Sequence, residues 1–205
     1  PLNSFFRRAI AAYHLRTIKL LFSEYITNET KLHINRDLVS RVQKLAPFLS
    51  YDRDPYPVIL NGRIYWIIDT YTTSKSFPYS AQIKDSNINY IRNPVKTVID
   101  AYNGDVSFFI TDEKEPIIQS YKNVYPNLFK SMKDAPPGLS KHFRHPVDFF
   151  SIQSQIFASY HMTDPAVFYN QEDLWKFPSE LYADQLISME PYYVNLNLPG
   201  EENSE

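Results

Sequence analysis

The sequence contains no cysteine among its 205 residues. Disulfide bonds, thiolate metal sites and a cysteine nucleophile are therefore excluded. Glycine is also scarce, with 4 in the whole chain. Phosphate-binding loops and nucleophile elbows need closely spaced glycines, so the dinucleotide-binding fingerprint, the P-loop and the Gly-x-Ser-x-Gly elbow are excluded as motifs.

Long apolar runs and a strong net charge are missing as well. No apolar run is long enough to span a bilayer, and no segment has the layout of a signal peptide. The formal net charge is −2 at pH 7, so the charge of the whole molecule does not favour nucleic acid, and we predict no nucleic-acid partner. Hydrophobic residues make up 43% and charged residues 21%, the balance of an ordinary folded protein.

The strongest fold signal is a β-hairpin at Asn61-Gly62, a dipeptide typical of two-residue type I′ turns because both residues tolerate positive φ. β-Branched and aromatic residues flank the turn and predict strands over about 56–71. The return strand is apolar on both faces, which is typical of a central strand covered twice. We therefore expect Trp66 to hold the core together, and Trp66→Ala to lower the free energy of unfolding by about 3–5 kcal/mol.

Periodicity and capping residues place several helices and further strands around this hairpin. The predicted helices run from Ser4 to Ile26, Arg36 to Ala46, Glu115 to Tyr125 and His145-Pro146 to about His161, with turns at Asp164-Pro165 and Asp173 to Trp175. The predicted strands cover Asn89–Arg92, Asp105–Thr111 and Tyr192–Leu198. The predicted fold class is α+β, a small, mainly antiparallel sheet around a hairpin (about 56–71) packed by several helices.

The predicted domain organisation is a single soluble domain over 1–200, truncated at its C-terminal side, with a disordered acidic tail over 201–205. One segment inside this domain has two interpretations. Asn93-Pro94 resembles a helix start, and apolar residues repeat at helical spacing up to Tyr102. The alternative is a strand that ends in a second hairpin turn at Asn103-Gly104, since 97–99 is rich in β-branched residues. Agreement between caps and period favours the helix.

The first predicted helix is basic, because five basic residues precede the first acid, Glu24; they are Arg7, Arg8, His14, Arg16 and Lys19. One interpretation is a helix that faces a membrane or an acidic partner. The other, which we favour, is a core helix with a solvated charged face.

Two histidines are the only metal-site candidates. His142 and His145 are three residues apart, a spacing that one helical face can present to a metal. A third ligand would come from His161, Asp148 or Asp164. A two-ligand match specifies little, and Pro146 disfavours a helix at His145. We therefore favour structural or surface histidines, and predict no metal and no cofactor.

Acidic clusters supply the candidates for acid–base catalysis. Carboxylates after a strand can transfer protons, but they also cap helices and complement the helix dipole. We favour capping for the acids at 112–115 and at 172–173, because they precede predicted helix starts. His161, Asp164 and Asp69 remain as catalytic candidates.

Aromatic and polar residues of the hairpin are candidates for a binding groove. Aromatic faces with one acid suit a carbohydrate or a peptide, but alternating aromatics on strands more often belong to a core, which we favour here. The groove candidates are Tyr65, Trp66, Asp69, Tyr71, Thr72 and Thr73.

Several stretches closely resemble one known family over nearly the whole chain, from Phe5 to Gly200. They are DPYPV at 54–58, YWIIDTYTTS at 65–74, NYIRN at 89–93, VIDAYNG at 98–104 and YHMTDPAVFYNQEDLW at 160–175. The family is the uncharacterised protein family UPF0182, which comprises large bacterial multi-pass membrane proteins.

The resemblance implies several N-terminal transmembrane helices followed by a large soluble region, of which this chain would be the first part. It implies a protein of the cell membrane, held by transmembrane segments absent from this chain, with this domain on the extracytoplasmic side. The family has no established activity, cofactor or catalytic residue, so the resemblance assigns none. It also implies tyrosine in most relatives where this chain has His145, which weakens the metal hypothesis.

Three functional hypotheses follow. The leading one is a non-catalytic domain of an integral membrane protein that binds an unidentified ligand or partner or supports assembly. The second is a hydrolase-like enzyme that acts on a component of the cell envelope. The third is a structural domain that forms a homo-oligomer.

Overall fold

The computed structural model describes residues 2–32, 34–83 and 86–194. The chain divides into two units, residues 1–41 and 42–205. The sequence-based expectation of one domain over 1–200 stays a prediction. The expected tail at 201–205 and the end of the expected strand Tyr192–Leu198 lie outside the described residues, and the described part of that strand, 192–194, has no strand pairing.

The first unit contains helix α1 (Phe5–His14) and the short helix α2 (Lys19–Phe22). A single helix from Ser4 to Ile26 was therefore a wrong prediction. Helix α1 ends because Arg16 takes a left-handed φ of 50°, and the N–H groups of Arg16 and Thr17 donate back to the carbonyls of Tyr13 and Ala12 at 3.2 and 2.9 Å. This is the Schellman arrangement, with arginine where glycine is usual.

Helix α3 (Leu38–Leu45) crosses the boundary between the two units. Helix α3 starts two residues later than the predicted Arg36. Asp37 caps it, because the Asp37 side chain accepts the N–H of Ser40 at 2.7 Å. In the second unit the Tyr51 hydroxyl lies 3.1 Å from the Val42 carbonyl and 2.8 Å from the Ala46 carbonyl. The Tyr51 hydroxyl thereby bonds the C-terminal end of α3, where the Val42 and Ala46 carbonyls also accept the N–H groups of Ala46 and Leu49.

The second unit is built on a six-stranded sheet. Its strands are β1 (Ser50–Tyr51), β2 (Tyr56–Leu60), β3 (Arg63–Ser74), β4 (Tyr90–Asp100), β5 (Val106–Ile110) and β6 (Phe129–Ser131). Their order is β1-β3-β4-β5-β6, and β2 also pairs with β3. All pairs are antiparallel except β5–β6. The α+β class with a mainly antiparallel sheet is confirmed.

Helices and a small hairpin complete this unit. They are α4 (Pro116–Val124), α5 (Val147–Phe157), α6 (Pro165–Asn170), 3-10 turns at Met132–Asp134 and Leu139–His142, and the hairpin of β7 (Ser179–Tyr182) and β8 (Gln185–Ser188). Helix α5 ends before the predicted His161, and the residues from Asp173 to Trp175 form no helical turn. The β7–β8 hairpin escaped prediction because its turn uses Ala183 and Asp184 at φ 48° and 61°, without the expected Asn-Gly signal.

The central hairpin matches its prediction. Asn61 and Gly62 have φ values of 50° and 75°, and Leu60 pairs with Arg63 directly across the turn. Strand β3 pairs with β1 and β2 on one side and with β4 on the other. It is therefore the central strand that its two apolar faces indicate.

Strand β4 replaces the helix predicted after Pro94, so the helix prediction was wrong and the hairpin alternative was right. Pro94 has no N–H to donate, and it lies where the β3–β4 register shifts between Thr70 and Thr72. A bulge tolerates proline where a regular ladder does not. The Asn93 amide donates to the Thr70 carbonyl at 3.2 Å, and the Pro94 carbonyl accepts the N–H of Thr111 at 2.8 Å. The ladders on both sides therefore continue past the proline.

The core of the second unit depends on the isoleucines of β3 rather than on Trp66. Ile67 and Ile68 point to opposite faces of the sheet and are fully buried. Ile67 packs in a cluster with Tyr56, Val58, Val98, Phe109 and Leu139. Trp66 is only half-buried, opposite Pro57 and Ile99. The expectation that Trp66 holds the core together was therefore wrong.

Within the described ranges, no helix combines the length and the hydrophobicity that crossing a bilayer requires. This finding concerns only the residues that the structure describes.

We predict that Ile67→Ala lowers the free energy of unfolding by about 2–5 kcal/mol, because it leaves a cavity in a closed cluster. The control is Ile59→Ala on the neighbouring strand. Ile59 is 72% exposed and Ile67 is 0% exposed, so the control should change stability by no more than about 0.5 kcal/mol. Urea denaturation measures both, and equal losses would contradict this description of the core.

Candidate functional site

A cleft of about 830 Å³ lies beside the β1–β3 edge of the sheet. One wall comes from β1, β3 and the start of β4, a second from α5, and a third from the segment 177–192 that includes β8. Most lining side chains are aromatic or aliphatic, among them Tyr51, Ile88, Ile91, Phe150, Ile152, Phe177, Met189 and Tyr192. Apolar walls with a few fixed polar groups are the usual make-up of a ligand site.

Asp52 is a buried carboxylate beneath this cleft. Its Oδ2 accepts the hydroxyl of Tyr71 and the backbone N–H of Asp148 at 3.0 Å, and its Oδ1 accepts the N–H of Asp54 at 2.9 Å. The Asp148 amide belongs to the first turn of α5, where N–H groups lack partners within the helix. Pro146, at the N-cap position of α5, makes no side-chain cap. Asp52 therefore caps α5 from a distant part of the chain.

Arg53 and Asp148 form the charged rim of the cleft. The Arg53 Nε lies 3.0 Å from Asp148 Oδ1, and the Arg53 backbone N–H donates to Asp148 Oδ2 at 3.1 Å. The Arg53 Nη1 lies 3.6 Å from Glu190 in the third wall. Burial raises the pKa of Asp148, an effect that nearby Asp52 adds to and that Arg53 opposes. The rim thus presents both signs of charge beside an apolar wall.

A buried ion pair lies further along the same face of the sheet. Lys96 and Asp69 face each other across β3 and β4, and the Lys96 Nζ contacts Asp69 Oδ1. The same Nζ donates to the Arg144 carbonyl at 3.2 Å. Burial raises the pKa of Asp69, and the Lys96 ammonium opposes this shift. Because Lys96 bonds both Asp69 and the Arg144 backbone, it fixes the segment before α5 to the sheet.

Arg144 links that segment to the C-terminal wall. Its guanidinium lies over the rings of Tyr56 and Tyr193, at 4.8 and 5.3 Å from their centroids, a cation–π arrangement. The Arg144 backbone N–H donates to the Tyr56 hydroxyl at 3.2 Å, and the Tyr193 hydroxyl donates to the His145 carbonyl. Burial raises the pKa of Tyr56. These contacts place Tyr192 and Tyr193 along a smaller cavity of about 380 Å³ that His145 and Phe150 also line.

The catalytic candidates from the sequence occupy separate surroundings. Asp69 pairs with Lys96, whereas Asp164 caps α6 through the N–H groups of Ala166 and Val167 at 2.8 and 3.1 Å. The His161 ring stacks on Trp175 at 4.3 Å, and its Nε2 lies 3.4 Å from Asp173. None of the three lines the cleft.

The two metal candidates do not share a helical face. His142 ends a 3-10 turn, and His145 lies in the extended segment before α5, where its Nε2 is 3.0 Å from the Gln153 Oε1. Among the described residues, no three His, Asp or Glu side chains form a group that could hold a metal ion.

The capping interpretation of the acids at 112–115 is confirmed for Glu115. Its Oε2 accepts the N–H of Ile118 at 2.6 Å at the start of α4, and its Oε1 accepts the Tyr90 hydroxyl at 2.8 Å. The capping role leaves Glu115 buried against α4 and not exposed to a cleft.

Only part of the predicted hairpin groove belongs to the cleft. Tyr71 and Thr73 line it, while Tyr65 packs against the core and Asp69 is buried beside Lys96. Sequence reasoning missed Asp52 and Arg53, and it considered Asp148 only as a metal ligand. The available signal was an Asp-Arg-Asp run directly after a short strand, together with an acid in the first turn of a predicted helix.

This arrangement defines an α+β domain with an apolar cleft beside a buried carboxylate and a buried ion pair. Its whole length, residues 1–205, matches the model of the Uncharacterised protein family (UPF0182), and the chain belongs to this family. It is 48% identical to a UPF0182 protein of Desulforamulus reducens, 42% to one of Trichodesmium erythraeum and 45% to one of Methanospirillum hungatei, over 99%, 100% and 97% of its length. No solved structure matches it.

The chain spans less than a quarter of the length of these relatives. The matched part is 22%, 24% and 23% of the three proteins in the same order. The resemblance read from the motifs is confirmed, and the chain corresponds to one part of each of these longer relatives.

We predict that Lys96→Met lowers the free energy of unfolding by about 3–5 kcal/mol, because it leaves the Asp69 carboxylate buried without a counter-ion. The double variant Lys96→Met/Asp69→Leu should recover most of that loss, since an apolar pair needs no counter-ion. Denaturation of wild type, both single variants and the double variant gives the coupling between the two residues. If the losses of stability in the two single variants simply add up in the double variant, that result would contradict a direct interaction between Lys96 and Asp69.

The loss of stability in Lys96→Met should also depend on pH. A raised carboxyl pKa means that the folded state binds the Asp69 proton more tightly than the unfolded state does. Removing Lys96 also removes the ammonium that lowers this pKa, so the Asp69 pKa rises further in the folded variant. The loss caused by Lys96→Met should therefore be full above the Asp69 pKa of the folded variant and shrink as the pH falls below it. A loss that grows on acidification would contradict this assignment.

Proposed function

We propose that this chain is a non-catalytic binding domain of an integral membrane protein, and that its cleft receives a ligand or a partner segment. The observation that carries the proposal is the cleft of about 830 Å³, with apolar walls and a rim of opposite charges at Arg53 and Asp148. Such a site suits an elongated molecule or chain segment with an apolar body and a polar end.

The state of the buried carboxylates supports binding rather than catalysis. Asp52 accepts three hydrogen bonds from protein donors, and Asp69 is paired with Lys96. A general acid or base has to meet a substrate proton at hydrogen-bond distance. Carboxylates that already bond protein groups are better suited to holding the cleft in shape.

The fixed walls support recognition with little ordering on binding. Asp52 holds α5, Lys96 holds the segment before it, and Arg144 stacks on Tyr193, the residue that directly follows the third wall. A site whose side chains are already immobilised loses less conformational entropy when a ligand enters.

The proposal also concerns the location of the full-length protein. The family resemblance supports an integral protein of the cell membrane with this domain on the extracytoplasmic side, anchored by segments outside this chain. Assembly into a homo-oligomer is a further part of the proposal, and sedimentation at increasing concentration tests it.

Ligand binding is tested by a thermal-shift screen against metals, sugars, lipid head groups and extended apolar peptides, because a ligand that binds only the folded state raises the melting temperature. We predict that a hit from the last two classes loses its shift in Phe150→Ala and keeps it in Phe168→Ala. Phe150, at 45% exposure, lines the cleft, whereas Phe168, at 46%, does not. A shift lost equally in both variants, or no hit at all, would count against the cleft.

The side of the membrane is tested by cysteine labelling, since the chain contains no cysteine of its own. We predict that Tyr169→Cys, placed in the full-length protein without other cysteines, reacts with a membrane-impermeant maleimide in intact cells. Tyr169 is highly exposed on α6, so the reagent can reach it. Labelling that requires permeabilised cells would place the domain in the cytoplasm.

A further inference from the structure

The first unit has an unusual distribution of apolar side chains. On α1 the small residues Ala11 and Ala12 are buried, while the large residues Phe6, Ile10 and Tyr13 are exposed. The exposed fractions of Phe6 and Tyr13 are 73% and 88%. Burial of large apolar side chains normally drives folding, so an exposed set of them indicates a surface that meets another apolar phase.

The exposed residues form one continuous face. Phe6, Ile10 and Tyr13 are spaced at i, i+4 and i+7, which places them on the same side of α1. Ile18, Phe22 and Tyr25 of the same unit are exposed as well. We call Phe6, Ile10 and Tyr13 the apolar face of α1.

The charged residues of α1, α2 and the segment between them are all basic. Arg7, Arg16 and Lys19 are exposed, and no Asp or Glu occurs before Glu24. An amphipathic helix with aromatic residues on one side and basic residues beside them is the usual composition of a helix that lies in a membrane interface. Each basic residue near an anionic lipid surface adds to the attraction.

A concavity between α1 and α2 adds a place for a head group. It has a volume of about 570 Å³, and its lining includes Arg16, His14 and Thr17 together with Tyr13 and Ile18. The guanidinium fork of arginine matches the oxygens of a phosphate group, and a threonine hydroxyl can donate to the same group. Tyr13 and Ile18 at the same concavity would then contact acyl chains.

We propose that the first unit docks on a membrane surface, with the apolar face of α1 in the interface and an anionic phospholipid head group between α1 and α2. This inference goes beyond the proposed cleft function and does not depend on the cleft. The occupant is a lipid surface rather than a second protein copy, because the apolar face is flanked by positive charges that would repel those of an identical face.

The test is flotation of the purified chain with vesicles of phosphatidylcholine alone or mixed with phosphatidylglycerol. We expect the chain to float with the anionic vesicles and to be released as the salt concentration rises. Phe6→Ser/Ile10→Ser/Tyr13→Ser should weaken this association about tenfold or more, because it removes the apolar contact. Arg16→Gln/Lys19→Gln should also weaken it about tenfold, because it removes the attraction to anionic lipid.

The matched control is Tyr169→Ser/Leu181→Ser/Leu186→Ser, which removes three exposed apolar side chains from the second unit and should leave flotation unchanged. Unchanged circular dichroism and melting confirm that each variant is folded. In Tyr13→Cys labelled with an environment-sensitive dye, the dye emission should shift to shorter wavelength with anionic vesicles, and in Tyr169→Cys it should not.

Several results would overturn the proposal. They are the absence of flotation with anionic vesicles, equal flotation with both vesicle types, and equal losses in the α1 triple variant and its control. A concentration-dependent dimer that the α1 triple variant disperses, without vesicle binding, would identify a second copy as the occupant and would overturn it too.

Discussion

The hydrogen bonds of the Asp52 carboxylate are the constraint on which the second unit depends. Asp52 follows the short strand β1, and its backbone N–H donates to the Asp69 carbonyl at 2.9 Å. Its side chain holds the Tyr71 hydroxyl in the second half of β3 and the Asp148 amide at the start of α5. A negative charge at a helix N-terminus is favourable because it complements the helix dipole. One buried side chain therefore sets the distance between the sheet and α5, which is the width of the cleft.

The ion pair of Asp69 and Lys96 extends this arrangement along the sheet. A buried ion pair contributes little net stability, because desolvation of the two charges offsets their attraction. The effect of the pair is to fix the positions of other segments. Lys96 also bonds the Arg144 carbonyl, and Arg144 in turn stacks on Tyr56 and Tyr193. Pairing with β3 and β5 places Lys96 on β4, and the long-range bonds then place the segment before α5 and the C-terminal wall. The cleft is the space that these bonds leave between the sheet, α5 and the segment 177–192.

The sequence allowed the local parts of this fold to be predicted. The Asn61-Gly62 turn, strand β5 and the Glu115 cap of α4 depend on residues close in sequence, so their signals are readable without the tertiary structure. Strand β4 was assigned wrongly because Asn93-Pro94 is also a good helix start, and only the register shift opposite it shows how a strand accommodates that proline. Trp66 was overestimated because the sequence does not indicate how far along β3 each face is covered. Ile68 on the same face is fully buried, whereas Trp66 is only half-buried.

The site was less predictable than the fold, for a physical reason. Asp52 and Asp148 are 96 positions apart, and Lys96 and Arg144 are 48 apart, so no local pattern relates them. On α1, helical spacing identified the apolar residues, but not that the alanines would be buried and the aromatics exposed. That inversion depends on how α1 packs within its own unit. Tertiary contacts therefore decide both the cleft of the second unit and the exposed face of the first.

The central claim is that Asp52 holds α5 against the sheet, and hydrogen exchange of the Asp148 amide tests it most directly. A helix amide in the first turn exchanges fast unless a group outside the helix accepts its hydrogen bond. The account predicts that the Asp148 amide is protected in the wild type and loses protection in Asp52→Ala, while the amides of β3 and β4 exchange as before. Equal exchange of the Asp148 amide in both proteins would contradict it.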